Sequence, residues 1–403
     1  MAVSTVTTVA EALKEFYLPG LRYQLNDRAS AFLAQLEKNE ESVVGKEIVM
    51  AMRYGRVGGI GNRADDGTLP TPNARKTKQA KWETKNLFSR FQITDKTVRA
   101  SKSNVGAFAN MLEMEIADCE NDAKLDLSRQ VLGDATGLLA NVTGASSYVA
   151  GPPAYLSMTV DSTMYLAEGM LVDITVNGGN SGVGISGATA REILFVDDAN
   201  LTIHVSVASD IHAGIASSNE EIYLAGNYGL ELTGRAAVLG ASNTLYGLAK
   251  GTYPWLVPQL KTVSGEISEN VLQEMIDRCE TRTGSKINYI ECALGVRRAY
   301  IDYLSANKST VNTLDLKGGW TALSYNGIPV VGDKYVPAGI LDMCDLNDWA
   351  MYQMSDYEWL DADGAMLNRV ADKAAWEATL VKYADLGCQR PRGQARLSAI
   401  TEH

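Results

Sequence analysis

The sequence predicts an α+β protein of several parts, on three observations. A basic, glycine-rich stretch, 46–102, carries two runs of strand-type alternation. One long amphipathic helix follows it, from 103 to about 131. Beyond that come short strands with almost no cation, and then helices and strands in alternation. At 403 residues the chain can hold two or three domains and a sizeable core.

Ile48, Met50, Met52 and Tyr54 alternate at strand period, and so do Leu87, Ser89, Phe91 and Ile93. Gly58, Gly59, Gly61, Gly67, Pro70 and Pro72 lie between the two runs. This pattern predicts a long two-stranded arm with a loose tip. Thirteen cations against five anions give the arm a net +8; the chain as a whole carries −11, so the remainder carries −19. A two-stranded arm is marginally stable alone. It must lie on another surface, and its aromatics Tyr54, Trp82, Phe88 and Phe91 are expected to pack on a neighbouring copy.

In the helix, Val105, Phe108, Leu112, Ile116, Cys119, Ala123, Leu127 and Val131 form one apolar stripe at steps of three and four. Ser103 is the expected N-cap and Gly133 the expected stop. The other face carries Glu113, Glu115, Asp118, Glu120, Asp122 and Asp126. A basic arm directly before an acidic helix is matched most simply by laying the arm of one copy over the helix of the next. The expected contact residues are Arg75, Lys76, Lys78, Lys81, Trp82 and Lys85 on the arm, and Glu113, Glu115, Asp118, Asp122 and Asp126 on the helix.

Residues 1–45 read as a helical N-terminal arm, with Val9, Leu13, Phe16 and Tyr17 on one face and helical spacing resuming over Tyr23, Asp27, Ala31 and Phe32 to Leu36, up to Lys38. From 140 to 225 Arg191 is the one cation among nine acids, and five short strand-like runs with Gly-rich links predict an inserted small β-barrel or sandwich. A helical run is expected near Arg235 to Leu248. Helices then follow over 267–282 and 296–306, with strands over 287–293, 321–325, 328–331, 339–346, 376–383 and 396–400. Asn326-Gly327 is a hairpin signal. The run Asp342, Asp345, Asp348, Asp356, Asp361 and Asp363, with Trp349, Tyr352, Tyr357 and Trp359 interspersed, reads as a solvated, contact-forming edge.

The composition argues against chemistry. The histidines number three and neither internal one, His204 or His212, sits near a nucleophile signature. Five scattered cysteines read as reduced core thiols. Gly178 to Gly182 lacks the Lys-Ser/Thr of a phosphate loop, and Gly55 to Gly61 lacks the helix of a dinucleotide fingerprint. No catalytic, cofactor or metal residue is expected. The acidic insert lacks the basic, aromatic groove of a nucleic-acid-binding barrel. The basic 46–102 arm leaves a nucleic-acid-binding module as the alternative reading.

The order of parts resembles the tailed-bacteriophage major capsid protein family, whose fold is shared with herpesvirus shells. The stretch Tyr325-Asn326-Gly327-Ile328-Pro329-Val330-Val331-Gly332-Asp333-Lys334-Tyr335-Val336-Pro337-Ala338-Gly339 is similar to the hairpin of that family's axial domain, and Trp376 to Ile400 to its final strands. The resemblance implies an N-terminal arm (1–45), an extended loop (46–102), a spine helix and peripheral domain (103–139 and 226–258), an insert (140–225), an axial domain (259–350), and an ending (351–403) that returns to the peripheral domain. It implies a structural role: hexamers and pentamers closing into an icosahedral shell around double-stranded DNA, in a virion made in the bacterial host cytoplasm. The implied partners are other copies, a separate scaffolding protein, a portal, a decoration protein and loosely enclosed DNA, with no membrane. Lys76, Lys78, Lys81 and Lys85 lie where some members cross-link, but no matching acid and Asn motif accompanies them.

Overall fold

The computed structural model describes residues 30–403 apart from 41–42, 44–46, 57, 98–110, 145, 152, 177–187, 207–219, 308–312, 317–319 and 362–366. The expectations for Val9 to Tyr17, Tyr23, Asp27, Ser103, Val105, Phe108, Gly178 to Gly182, His212 and Asp363 lie outside the described residues.

In chain order, α1 (Ala31–Gln35) leads to β1 (Glu37–Asn39), β2 (Ile48–Arg53), β3 (Thr77–Trp82) and β4 (Lys85–Thr94). Helix α2 (Met111–Leu132) precedes seven short strands: β5 (Leu138–Asn141), β6 (Ser147–Val149), β7 (Tyr155–Thr159), β8 (Leu171–Val176), β9 (Arg191–Asp197), β10 (Thr202–Ser206) and β11 (Glu220–Leu224). Then come α3 (Arg235–Leu239), β12 (Thr244–Leu245), β13 (Leu248–Ala249), β14 (Gln259–Gly265), α4 (Glu269–Thr283), β15 (Tyr289–Cys292) and α5 (Leu294–Asn307). The chain closes with β16 (Thr313–Leu316), β17 (Trp320–Tyr325), β18 (Ile328–Gly332), β19 (Leu341–Cys344), β20 (Trp349–Trp359), β21 (Asn368–Arg369), β22 (Ala375–Cys388) and β23 (Ala395–Ile400).

These elements fall into two compact units. The smaller contains Leu87–Leu125 and Tyr357–Lys382. In it β4 pairs with β22, and β21 pairs antiparallel with β22 (Asn368 opposite Glu377). Phe91 and Ile93 from β4, Cys119 from α2 and Ala378 from β22 bury together, with Trp359 edge-on to Phe91 at 5.9 Å. The apolar stripe read from the sequence is this buried face: Cys119 and Ala123 are buried, and Leu127 and Val131 continue it into the larger unit.

The larger unit contains two seven-stranded sheets. The first, in the order β5-β11-β8-β9-β10-β7-β6, is the predicted β insert. A bridge from Val142 to Val160 joins the end of β5 to the end of β7, curling the sheet towards a barrel. Its core includes Leu139, Leu156, Met158, Val172, Ile174, Ile193, Ile203, Val205 and Ile222, all fully or almost fully buried and all contributed by the insert itself. Its entry and exit meet, because the Gly229 N–H donates to the Thr136 carbonyl at 3.0 Å. The five predicted strands are present; β5 and β6, four and three residues long, were not read from the sequence, and β5 moves the start of the barrel back to Leu138.

The second sheet has the order β14-β23-β19-β15-β18-β17-β16, with β14/β23 and β15/β18 parallel. Helix α4 buries Leu272, Met275 and Cys279, and Gly284 ends it in the left-handed region at φ 72°, as expected. Asn326 and Gly327 both have positive φ, the geometry of a two-residue I′ hairpin turn.

Four expectations are corrected. Leu36 to Lys38 does not continue α1, because Glu37–Asn39 adds in parallel to β20. The helix at Arg235 stops at Leu239; Gly240 follows, and the Lys250 Nζ donates to the carbonyls of Ala237, Val238 and Gly240 at 3.0, 2.7 and 2.6 Å, so the chain turns into the β12/β13 hairpin. The arm pairs Ile48–Arg53 with Thr77–Trp82, and the alternating run at 87–93 belongs to β4 in the smaller unit. Thr77–Trp82 escaped notice because four of its six residues are exposed and polar. Finally, the aspartates at 342, 345 and 348 are no solvated edge: all three are almost fully buried, as are Trp349 and Tyr352.

Candidate functional site

Two surfaces carry the charge that the sequence singled out, and a buried cluster adds charge inside the larger unit. The arm is anchored by its inner face. Ile48 and Met52 of β2 and Ala80 and Trp82 of β3 are buried, whereas Val49, Ala51 and Arg53 alternate outward. Trp82 stacks obliquely on Tyr246 at 4.3 Å and stands edge-on to Tyr352 at 5.6 Å, and the Lys81 N–H donates to the Tyr246 carbonyl. Gly387 lies under this cluster; a Cβ there would come within 2.2 Å of the Tyr352 ring and 3.1 Å of Trp82, so only glycine fits. Tyr54 lies parallel to Trp255 at 5.1 Å, and Lys78 sits over Tyr253.

The aromatic reading is therefore corrected: Tyr54, Trp82 and Phe91 pack within their own chain, and Phe88 stays 61% exposed. A two-stranded ribbon needs an apolar backing, and the chain supplies it itself. The arm's cations are left outside. Arg75, Lys76, Lys78 and Lys81 are exposed and Lys85 is half-buried.

On α2, Glu113 and Asp122 are exposed and Glu115, Asp118 and Asp126 half-buried. Although Asp122 reaches solvent, partial desolvation and then the neighbouring Asp118 push its carboxyl above its ordinary range, as expected for anions crowded on one helix face. Asp126 differs from the others. It accepts from Arg129 and from Gln130, each at 2.7 Å, and Arg129 also holds Glu231 at 2.5 Å. Burial opposes the charge on Arg129, but Asp126 and Glu231 more than offset it.

Of the buried cluster the sequence reading singled out Asp342 alone, and placed it on a solvated edge. Glu291 on β15 faces Asp342 on β19, and Asp342 faces Arg396 on β23, so three charged residues line up across three neighbouring strands. Two carboxylates directly opposite each other repel. Arg235 from α3 resolves this by pairing with Glu291 and placing its Nε 3.0 Å from Asp342, while Arg396 grips both Asp342 oxygens at 2.6 and 2.9 Å. Arg235 also lies 4.9 Å from the Phe32 ring. Burial would raise the Asp342 carboxyl, but Arg396 and Arg235 hold it below its ordinary value. No period or motif marks such a set, because its members are 161 residues apart along the chain, from 235 to 396. A further buried acid, Asp385, makes no ion pair among the described residues. Its Oδ1 accepts the Thr233 and Leu386 N–H groups at 2.7 and 2.9 Å and its Oδ2 has no hydrogen-bond partner among the described residues, so burial pushes it up to about 7.

No family model and no curated protein matches the sequence. Solved structures do match in fold. The cyanophage A-1(L) capsid subunit superposes at a TM-score of 0.61 and 13% identity, covering 99% of this chain and 100% of that one. The capsid of an empty GTA particle gives 0.52 and 10%, covering 99% and 100%, and that of Myoviridae phage XM1 gives 0.50 and 6%, covering 99% and 99%. At such identity the likeness speaks for the fold, and it does so over the full length of both chains. The chain is built on the fold of bacteriophage major capsid proteins.

Proposed function

We propose that this chain is a major capsid protein, a structural subunit and not an enzyme, whose copies close into an icosahedral shell around double-stranded DNA. The observation that supports this reading is likeness in fold to capsid subunits over 99% of this chain and 100% of theirs. The inner face of the arm hairpin is used within its own chain, which leaves its cationic outer face for a partner. Arg75, Lys76, Lys78, Lys81 and Lys85 would lie on the acidic face of a neighbouring copy's α2, at Glu113, Glu115, Asp118 and Asp122. Residues 46–102 would be the extended loop, 103–139 and 226–258 the peripheral domain, 140–225 the insert, 259–350 the axial domain and 351–403 the returning strands. The partners would be other copies in hexamers and pentamers, a separate scaffolding protein, a portal and a decoration protein. The subunit would be made in a bacterial cytoplasm and end in the virion. Since the surface outside the arm is acidic, closed shells should hold duplex DNA weakly.

The test is electron microscopy of the protein expressed alone and with a co-expressed scaffold. Closed particles of megadalton mass are expected. A chain that stays monomeric at high concentration in both settings would defeat the proposal.

A further inference from the structure

At the root of the arm, the larger unit holds an open groove of about 770 Å³ lined by four arginines. Arg53 comes from β2, Arg282 from the end of α4, and Arg390 and Arg392 from the turn before β23, with the stacked Tyr54 and Trp255 beside them. Asp348 is the one acid in the lining, and Arg390 already neutralises it at 2.7 Å. Arg282 and Arg392 make no ion pair among the described residues, and the Arg53 Nε donates only to the nearby Gly55 carbonyl. A chain of net charge −11 thus concentrates three uncommitted guanidinium groups in one groove.

We propose that this groove binds a short stretch of single-stranded nucleic acid. Guanidinium groups match phosphate in a fixed, forked geometry, and every free cation here is an arginine. The second element is the aromatic pair. Tyr54 and Trp255 lie within 6° of parallel, and Tyr54 remains 42% exposed, so an unpaired base can extend the stack. Asn347 and Gln389 add neutral hydrogen-bonding groups to the same lining. A cationic groove with an aromatic platform is the general solution for unpaired strands. An acidic protein segment would use the arginines and leave the ring face idle. A duplex would offer phosphates but keep its bases stacked on each other. The site is contained in one subunit and stands or falls separately from the shell.

The experiment uses the full chain, kept below its assembly concentration and checked for mass, with a fluorescent oligothymidylate of about 12 nucleotides, within the usual site size. Binding is followed from about 50 to 200 mM salt. R282Q/R392Q should weaken binding at least about tenfold and flatten the logarithmic salt slope by about 1.4, two phosphates' worth. Tyr54→Ala should weaken it by about tenfold, whereas Tyr54→Phe should retain it because the ring is kept. A duplex of equal length should be indifferent to Tyr54→Ala. Thermal unfolding of each variant checks the fold, and the Phe and Ala pair remains informative if the arginine variant proves unstable. Equal binding by R282Q/R392Q, or equal losses in Tyr54→Ala and Tyr54→Phe, would overturn the proposal. So would displacement of the oligonucleotide by poly-glutamate at matched charge concentration, which would give the groove to an acidic protein partner.

Discussion

The second seven-stranded sheet and the arm both depend on charge, in opposite ways. In the sheet, Arg235, Glu291, Asp342 and Arg396 lie on or beneath β15, β19 and β23; the first three are fully buried and the set is balanced two against two. On the arm, Arg75, Lys76, Lys78 and Lys81 are exposed and make no ion pair among the described residues. A buried charge must be matched within the chain, because leaving it unpaired costs several kcal/mol. An exposed charge costs little alone and is free to meet another surface, where each pair contributes about 0–1 kcal/mol. The sheet therefore uses charge to specify its own register. The arm, under the proposed function, uses charge between copies.

The largest expected effect is on the buried side. Arg235→Met strands Glu291 beside Asp342 and should destabilise the chain by about 3–5 kcal/mol, read from the denaturant midpoint of the soluble subunit. Adding Glu291→Gln should recover part of that loss. If the single variant unfolds at the native midpoint, the network does not hold the sheet and the contrast with the arm disappears.

Asp385 tests burial without a cation. Its folded pKa of about 7 lies above the ordinary unfolded value near 4. Between those values the folded state binds the proton more tightly, so stability should fall as pH rises from about 4 to about 7, by at most about 1.4 kcal/mol per unit. Asp385→Asn should flatten that slope and be the more stable form at pH 8. Parallel pH profiles for the two proteins would show that Asp385 is ionised throughout.

The insert carries exposed acid over a core of its own, and its ends meet at Thr136 and Gly229. Replacing 138–225 with a short Gly/Ser linker should therefore leave a soluble, cooperatively folding chain, since loop closure costs grow slowly with length. The cut belongs at 138, since a start at 140 would divide β5. Insoluble protein in every expression setting would make the barrel part of the parent core.

The smallest effect on folding, and a clear one on assembly, is expected from Lys76, Lys78 and Lys81 changed together to Glu. The unfolding midpoint should stay within about 1 kcal/mol of the native protein, because exposed charges contribute little. Particle yield should drop, because the change repeats in every subunit. Wild-type yields with no larger monomer pool would remove the arm from the proposed contact.

Sequence periodicity was enough to place the α2 stripe, the five central barrel strands, α4 with its Gly284 end and the Asn326-Gly327 turn. Each depends on neighbours a few residues apart, where side-chain period and backbone preference act directly. The charge asymmetry between the arm and the remainder was equally open to reading, because it is a count. Tertiary structure alone decided which strand pairs with Ile48–Arg53, where Trp82 lies, why three aspartates near 345 are buried, and that Arg235 joins Glu291 and Asp342. The arginine groove at the arm root likewise gathers residues from 53 to 392. Such arrangements bring together residues tens to hundreds of positions apart, and the cost or gain of a buried charge depends on what stands opposite it in space. That partner is chosen by sheet register, on which the local pattern of any one strand is silent.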